Sequence, residues 1–449
     1  MATTLRLSHR RRRITGVLCP PPARTRRDDS FNGRYAAGAL RFVSALVLAL
    51  VLCGAPAACS LPGSGAGSVV IYVNAPFASS RWVGRAGQQG AQLAADQINN
   101  RTGVRVAGQT YRLKIRTADT NGSPSQALAN VRKAVAEKAV AVIDDGSTVT
   151  ATAGAAAGAG VPLLVYFDGT TNLVNPAALP NVFRLAPPND ALAGRLAAYL
   201  AGKGLRLAVV HDDTADGADG AALLRRALAR AGATPVVEVG APAGAADYRD
   251  QALQVTASPS TAVVIWAGAP VVAGVLKALR TLGSTLPVYT GPTGEDPAIR
   301  AALADRPDWL QGLTFTTMRI TDAAGLPKWV AFRLGYETLY GEDRLGLGES
   351  IRHPVVQPPD RQMLSYDLVY LVKAALEKAG TIQTAGGKLL AALTTVTAQG
   401  ANGTTVGWTP DNHDGLGPDH VYFAVILNLN FQPVQDDPGS LAQPQIEQD

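Results

Sequence analysis

From Ser68 onward the chain alternates short, continuously apolar segments with amphipathic ones, and this rhythm constrains the fold more than any single motif. "SVVIYVNAP" and "YRLKIRTADT" read as strands. "RAGQQGAQLAADQINN" and "PSQALANVRKAVAEK", the second opened by Ser123 and Pro124, carry apolar residues at helical spacing. Strand "AVAVIDD", a small-residue helix from about Thr150 and strand "PLLVYFDG" continue the series. Strands that are apolar on both faces need cover on both faces, and βαβ crossovers supply it with helices. The pattern therefore predicts an α/β fold with parallel sheets flanked by helices.

The rhythm restarts after "NVFRLAPPND", with helix "ALAGRLAAYLAGKG", strand "RLAVVHDD", a helix from about Gly217 to Ala231, and three further strands. Two consecutive units of similar length predict two Rossmann-like lobes. The tail begins no third unit. "PKWVAFRLGYETLYG" and "YDLVYLVKAALEKAG" are long helices with no strand between them, so they are expected to cover sheets already built. "HVYFAVILNLN" is expected to join one of those sheets. The polar, proline-rich residues 434–449 are expected to form a disordered tail.

The chain has 449 residues, 47% hydrophobic and 17% charged, which suits a folded protein with a substantial core. Its formal charge of +6 is concentrated at the start. Ten arginines precede Ala58 against Asp28 and Asp29, which leaves 31 basic and 33 acidic residues in the remainder. A general nucleic-acid role has no electrostatic support.

Residues 1–58 read as an export leader. Arg41 precedes "FVSALVLALVLCGAPAAC", an apolar stretch too short for a spanning helix and followed by small residues. Ala57-Ala58-Cys59 resembles a bacterial lipoprotein signal, with Pro56 where that pattern usually has Leu. Cys59 is then the lipid-bearing first residue and residues 59–67, "CSLPGSGAG", a flexible tether. The long basic region before Arg41 leaves two further readings open, a mis-assigned start codon and a twin-arginine signal interrupted by Pro20 to Pro22. The three cysteines are Cys19, Cys53 and Cys59, so the body has no disulfide and no thiolate metal site.

Motifs for catalysis or nucleotide binding are missing. No GxxxxGK[ST], GxGxxG at a strand-to-helix turn, GxSxG or HExxH occurs. His413 and His420, among Asp411, Asp414 and Asp419, read as a solvated turn, with a cation site as the alternative. The chain is read as a non-enzyme with no cofactor and no metal. What recurs is a small or hydroxyl-rich turn after each strand: Gly146-Ser147-Thr148, Gly169-Thr170-Thr171-Asn172, Asp212 to Gly217, Ala267 to Pro270, and Gly291 to Gly294. In open parallel sheets, ligands bind at the carboxyl ends of the strands. Ser, Thr and Asp also cap helices, so each turn alone has two readings. Five of them, spread over two lobes, point to a cleft between the lobes. Alternation sends Asp144 and Asp145 to opposite faces, so at most one reaches that cleft, as counter-charge to a cation.

The segments "GQQGAQLAADQINNRTGVRVAGQTYRLKIRTADTNGSPSQALANVRKAV", "PLLVYFDGTTNLVNP", "VFRLAPPND", "RLAVVHDD" and "VYTGPTGEDP" resemble type I periplasmic solute-binding proteins of the leucine/isoleucine/valine-binding family, over about Val69 to Pro433. The resemblance implies two lobes joined by a three-strand hinge near Pro187 to Asp190, Thr316 to Thr321 and Thr404 to Trp408. Lobe one would comprise residues 68–187 and 319–404, and lobe two residues 188–318 and 405–433. It implies ligand-binding roles for Ser147, Thr148, Gly169, Thr170 and Thr171. In the second lobe, Thr293, Ala269 and Asp216 stand where the family has an acid, an aromatic and a tyrosine, with Glu295 or Asp216 available to replace the acid. Trp82, in the first strand-to-helix loop, either walls the cleft or covers the surface.

The reading is an exported lipoprotein, anchored to the outer face of the cytoplasmic membrane. As a monomer, it delivers a small polar ligand to the permease of an ABC importer. The alternative is a ligand-sensing receptor domain that signals to a partner protein.

Overall fold

The computed structural model describes residues 67–318, 327–341 and 360–441. The first sheet is built from β1 (Ser68–Ala75), β2 (Val104–Val106), β3 (Gln109–Asp119), β4 (Ala141–Asp144), β5 (Leu163–Val165) and β6 (Val182–Arg184). Their order is β2-β3-β1-β4-β5-β6, parallel throughout except for the β2–β3 hairpin. Helices α1 (Arg81–Arg101), α2 (Pro124–Ala136) and α3 (Val149–Ala157) make the crossovers. Ser123 caps α2 by accepting from Gln126 N, and Pro124 follows in the first turn, where a missing N–H costs nothing.

After β6 the chain enters a second unit: α4 (Asn189–Gly202), β7 (Leu207–Asp212), α5 (Ala215–Arg230), β8 (Val237–Ala241), α6 (Arg249–Ala257), β9 (Ala262–Trp266), α7 (Ala269–Thr281), β10 (Val288–Thr290), α8 (Pro297–Ala302) and β11 (Thr314–Thr317). The tail supplies α9 (Pro327–Tyr340), α10 (Asp360–Ala379), α11 (Lys388–Leu393), β12 (Thr397–Gln399), β13 (Thr405–Gly407), β14 (Tyr422–Leu427), β15 (Asn430–Pro433) and α12 (Pro438–Leu441). The second sheet runs β15-β14-β11-β10-β9-β7-β8, with β14 and β15 antiparallel and the others parallel. This is the two-sheet α/β architecture that the apolar strands predict, because the central strands β4, β5 and β9 are buried on both faces.

The tail helices return to the first lobe. Trp329, Phe332 and Tyr336 of α9, and Met363, Leu368 and Val372 of α10, share its core with α1. The first crossing between lobes lies between Ala186, packed in that core, and Ala191, packed in the second lobe. The second lies between Phe315, packed in the second lobe, and Met318, packed in the first.

Three expectations need correction. The stretch after β13 stays with the first lobe: Val406, Trp408 and Leu416 pack in its core. Residues 413–415 run beside β6, with Arg184 N donating to His413 O and Gly415 N to Arg184 O. The third crossing therefore falls between Leu416 and β14, because the apolar side chains on this stretch have their complement in the first lobe. His413 does not sit in a solvated turn. It is buried, stacked at 4.0 Å on Phe183, with Nδ1 2.9 Å from Val182 O. The C-terminal stretch is also docked as far as α12. Val434, Asp437 and Ser440 are buried, Asp437 pairs with Arg195 at 2.5 Å, and Ser440 Oγ accepts from Phe423 N. Residues 442–449 lie outside the described residues.

Candidate functional site

The carboxyl ends of β1, β4 and β5 meet those of β7, β9 and β10 across a cavity of about 490 Å³, lined from both lobes. On the first lobe, β4 ends in two aspartates with different surroundings. Asp144 turns inward, fully buried, and accepts from Asn74 Nδ2 and Gly146 N, both at 2.9 Å. Asn130 extends this network by donating to Asn74 Oδ1. Asp145 lines the cavity and is only 4% exposed, yet its Oδ1 has no hydrogen-bond partner. Gly146 makes the turn possible at φ +104°, with its Cα close against Asp168, where a Cβ would lie 2.4 Å from the Asp168 Cβ.

The turn after β5 supplies Phe167, Asp168, Gly169 and Thr170. Asp168 Oδ1 accepts from Thr170 N at 2.7 Å and Thr170 Oγ1 at 2.6 Å, which folds the turn on itself. Gly169 O accepts from Asn189 N at 2.6 Å, and a Cβ on Gly169 would meet Asn189 Oδ1 and Pro187 O. The site turn thus packs directly on the first crossing. Trp82 stands edge-on to Phe167, ring centroids 5.6 Å apart, and together they form the aromatic part of the wall.

The second lobe contributes small residues and two more carboxylates. Gly268, Ala269, Pro292 and Thr293 line the cavity beside Asp216 and Asp296. Asp212, at the end of β7, does not line it. It accepts from Thr214 N and, 2.7 Å away, from Gly268 N, and so ties together the turns after β7 and β9. Asp216 Oδ1 accepts from Asn189 Nδ2 at 3.0 Å, and Asp296 caps α8 through Ala298 N at 2.8 Å.

Arg361, from α10, is the cationic side chain among the described lining residues. Its Nε donates to Glu295 Oε1 at 2.6 Å, both groups are buried, and Thr317 Oγ1 donates to Glu295 Oε2. This ion pair spans the lobes. The guanidinium also lies 5.0 Å from the Phe167 ring centre.

Burial and neighbouring negative charge raise the carboxyl pKa values. Asp144 and Asp145 are pushed up chiefly by burial, with Asp145 acting on Asp144 and Asp168 on both. Asp216 is raised by burial and then by Asp168 from the opposite lobe, and Asp296 by burial. The site thus holds carboxylates that accept hydrogen bonds from the chain but are raised by burial.

Of the residues expected from the sequence, Trp82, Ser147, Gly169, Thr170, Asp216, Ala269 and Thr293 line the cavity. Trp82 belongs to the first turn of α1, where the sequence suggested a loop. Three others do not line it. Thr148 is buried at the start of α3 and Thr171 is half-buried, each with Oγ1 unpartnered. Glu295 lies beneath the surface, held by Arg361 and Thr317, because the 3-10 turn Pro292–Glu295 directs it inward. Cys59 lies outside the described residues. Sequence reasoning missed Phe167, Asp168, Asn189, Asp296 and Arg361. Phe167 and Asp168 directly precede Gly169 and were open to the same positional logic. Arg361 sits on a tail helix with nothing local to mark it.

The periplasmic binding protein family matches residues 69–427. The fold resembles a type 1 periplasmic binding protein from Bordetella pertussis Tohama I, with 19% identity, TM-score 0.68, and 82% of this chain and 100% of that one covered. It also resembles the branched-chain amino acid transporter substrate-binding protein LivJ from Streptococcus pneumoniae in complex with isoleucine (20%, TM-score 0.67, 81% and 98%). A third is an ABC transporter solute-binding protein from R. palustris in complex with benzoate (16%, TM-score 0.65, 82% and 96%). No curated protein sequence matches the chain.

Proposed function

The chain belongs to the periplasmic binding protein family, and from that premise we propose that it is an extracytoplasmic lipoprotein that captures a small ligand between its lobes and delivers it to an ABC importer. The observation that carries this reading is the cavity lined by turns from both lobes, with Trp82 Nε1 and Asp145 Oδ1 unpartnered among the lining residues. A ligand seated there contacts both walls at once, so it binds the closed arrangement better than the open one. That differential affinity drives closure about the crossings. The structural relatives in complex with isoleucine and with benzoate support a small-molecule cargo, and the permease is the partner that such a cargo implies. No chemistry on the ligand is required of any side chain in the site.

Closure is testable by small-angle scattering on the purified protein, with native mass spectrometry to detect a co-purifying small molecule. The radius of gyration falls on saturation with ligand; an unchanged profile at saturation removes the delivery reading. The anchor is tested separately. Cys59→Ser releases the protein from the membrane fraction, since one cysteine carries the acyl chains. A Ser variant that stays on the membrane with its leader cleaved excludes the lipid anchor.

A further inference from the structure

The cleft's charge is out of balance, and the imbalance has a direction. Asp145, Asp168, Asp216 and Asp296 line it, against Arg361 alone among the described lining residues. Arg361 is already matched by Glu295 at 2.6 Å. Asp145 is the sharpest case. It is 4% exposed, it lines the cavity, and its Oδ1 accepts from nothing. A buried carboxylate oxygen without a donor is costly unless something outside the chain supplies one.

Helix starts and turns around the cleft would ordinarily welcome an anion. Here the chain's own carboxylates occupy several of those N–H groups: Asp144 at Gly146, Asp168 at Thr170, Asp212 at Gly268 and Asp296 at Ala298. A ligand carboxylate entering this site would add a like charge and find those donors taken. A ligand cation would meet the four lining carboxylates, with Trp82 as the aromatic side chain of the wall not already covered by Arg361.

We propose that the cleft selects a small organic cation, a protonated amine or guanidinium without an α-carboxylate, with Asp145 as its principal counter-charge and Trp82 as its aromatic contact. This rests on reading the cleft as the solute site. The proposal also supplies the sign of closure. Asp168 and Asp216 belong to opposite lobes and repel across the cavity. A cation between them turns that repulsion into attraction on both sides.

The test is isothermal titration of the full chain at pH 7.5 with agmatine, putrescine and tyramine, alongside leucine and benzoate. At least one of the three cations binds, its affinity falls at least tenfold in Asp145→Asn and in Trp82→Ala, and added sodium chloride weakens it. Leucine and benzoate give no saturable heat. Should Asp145→Asn fail to fold, Asp216→Asn, on the exposed start of α5, carries the same expectation with a smaller loss. Binding of leucine or benzoate, with none of the cations binding, overturns the ligand class and leaves the solute-binding reading standing. A cation that binds wild type and all three variants equally is not in this cleft, which overturns the site. If none of the five binds, the ligand class falls, and scattering with the co-purified molecule judges the delivery reading separately.

Discussion

The turns after β4 and β10 each bury a carboxylate near the cleft, and they treat it in opposite ways. Glu295 receives a guanidinium from Arg361 at 2.6 Å and a hydroxyl from Thr317 at 3.1 Å. Asp145, equally withdrawn from water, keeps an oxygen with no partner and has Asp144 and Asp168 as neighbours. Burial penalises both charges alike, so the difference lies in whether the chain supplies the compensation. At Glu295 it does, and the pair fastens one lobe to the other. At Asp145 it supplies hydrogen bonds from Ser147 but no cation, and Oδ1 is left for whatever enters the cleft.

The comparison breaks first at Arg361. Arg361→Met leaves Glu295 buried and unpaired, which costs this arrangement of the lobes about 3–5 kcal/mol. A lower urea midpoint and a larger radius of gyration without ligand are expected, since lobe separation lets water reach Glu295. The double change with Glu295→Gln restores most of both, because it removes the stranded charge. A single variant indistinguishable from wild type in both measurements would mean that the pair does not hold the lobes.

Asp145→Asn has the opposite sign. Removing an uncompensated charge stabilises the ligand-free protein, on the order of 1–3 kcal/mol at pH 8. The pH dependence follows from the raised carboxyl, which burial holds up to about 6. The folded state binds the proton more readily than the unfolded chain, whose carboxyl titrates near 4. Asp145 therefore lowers stability progressively as pH rises from about 4 to about 6, and the deficit persists above that window. The variant's advantage is largest at pH 8 and vanishes toward pH 4. Asp144, which the Asp145 charge helps to raise, is relieved in the variant, so the difference in melting temperature reports Asp145 together with its effect on Asp144. Cation affinity of the wild type moves the other way and declines on acidification through the same window. An advantage independent of pH would show that Asp145 titrates in the folded protein as it does in the unfolded chain.

The smallest effect sharpens the distinction between cap and contact. Ser147 is exposed at the cavity, and α3 begins without a side-chain cap hydrogen bond. Ser147→Ala should leave the melting temperature within about 1 °C of wild type, while ligand affinity drops by about 0.5–1.5 kcal/mol. A lowered melting temperature with unchanged affinity would make the hydroxyl a structural one.

Strand and helix placement was legible in the sequence because it depends on local periodicity. "AVAVIDD" reads as a strand between two burying layers wherever it sits, and Ser123-Pro124 announces α2. The turns at the carboxyl ends of the strands were legible for the same reason: a parallel sheet puts them on one edge. That logic located Ser147, Gly169, Thr170, Asp216 and Thr293 at the cavity. It could not say which way each side chain points within its turn, and so it also included Thr148, Thr171 and Glu295. The divergent roles of Asp144 and Asp145 followed from alternation, but their assignment needed Asn74, seventy residues earlier in the chain.

What the chain determined locally is a doubly lobed α/β protein with a small-residue, hydroxyl-rich sheet edge in each half. What only the tertiary structure decided is the charge state of that edge. Arg361 reaches Glu295 across 66 positions, and Asp168 faces Asp216 from the other lobe. The route of residues 405–417 and the docking of Asp437 on Arg195 belong to the same class, since both depend on partners more than 200 positions away. Periodicity describes what a segment does with its own neighbours. Which charges are cancelled depends on distances through space, and those exist only once both lobes have folded and met.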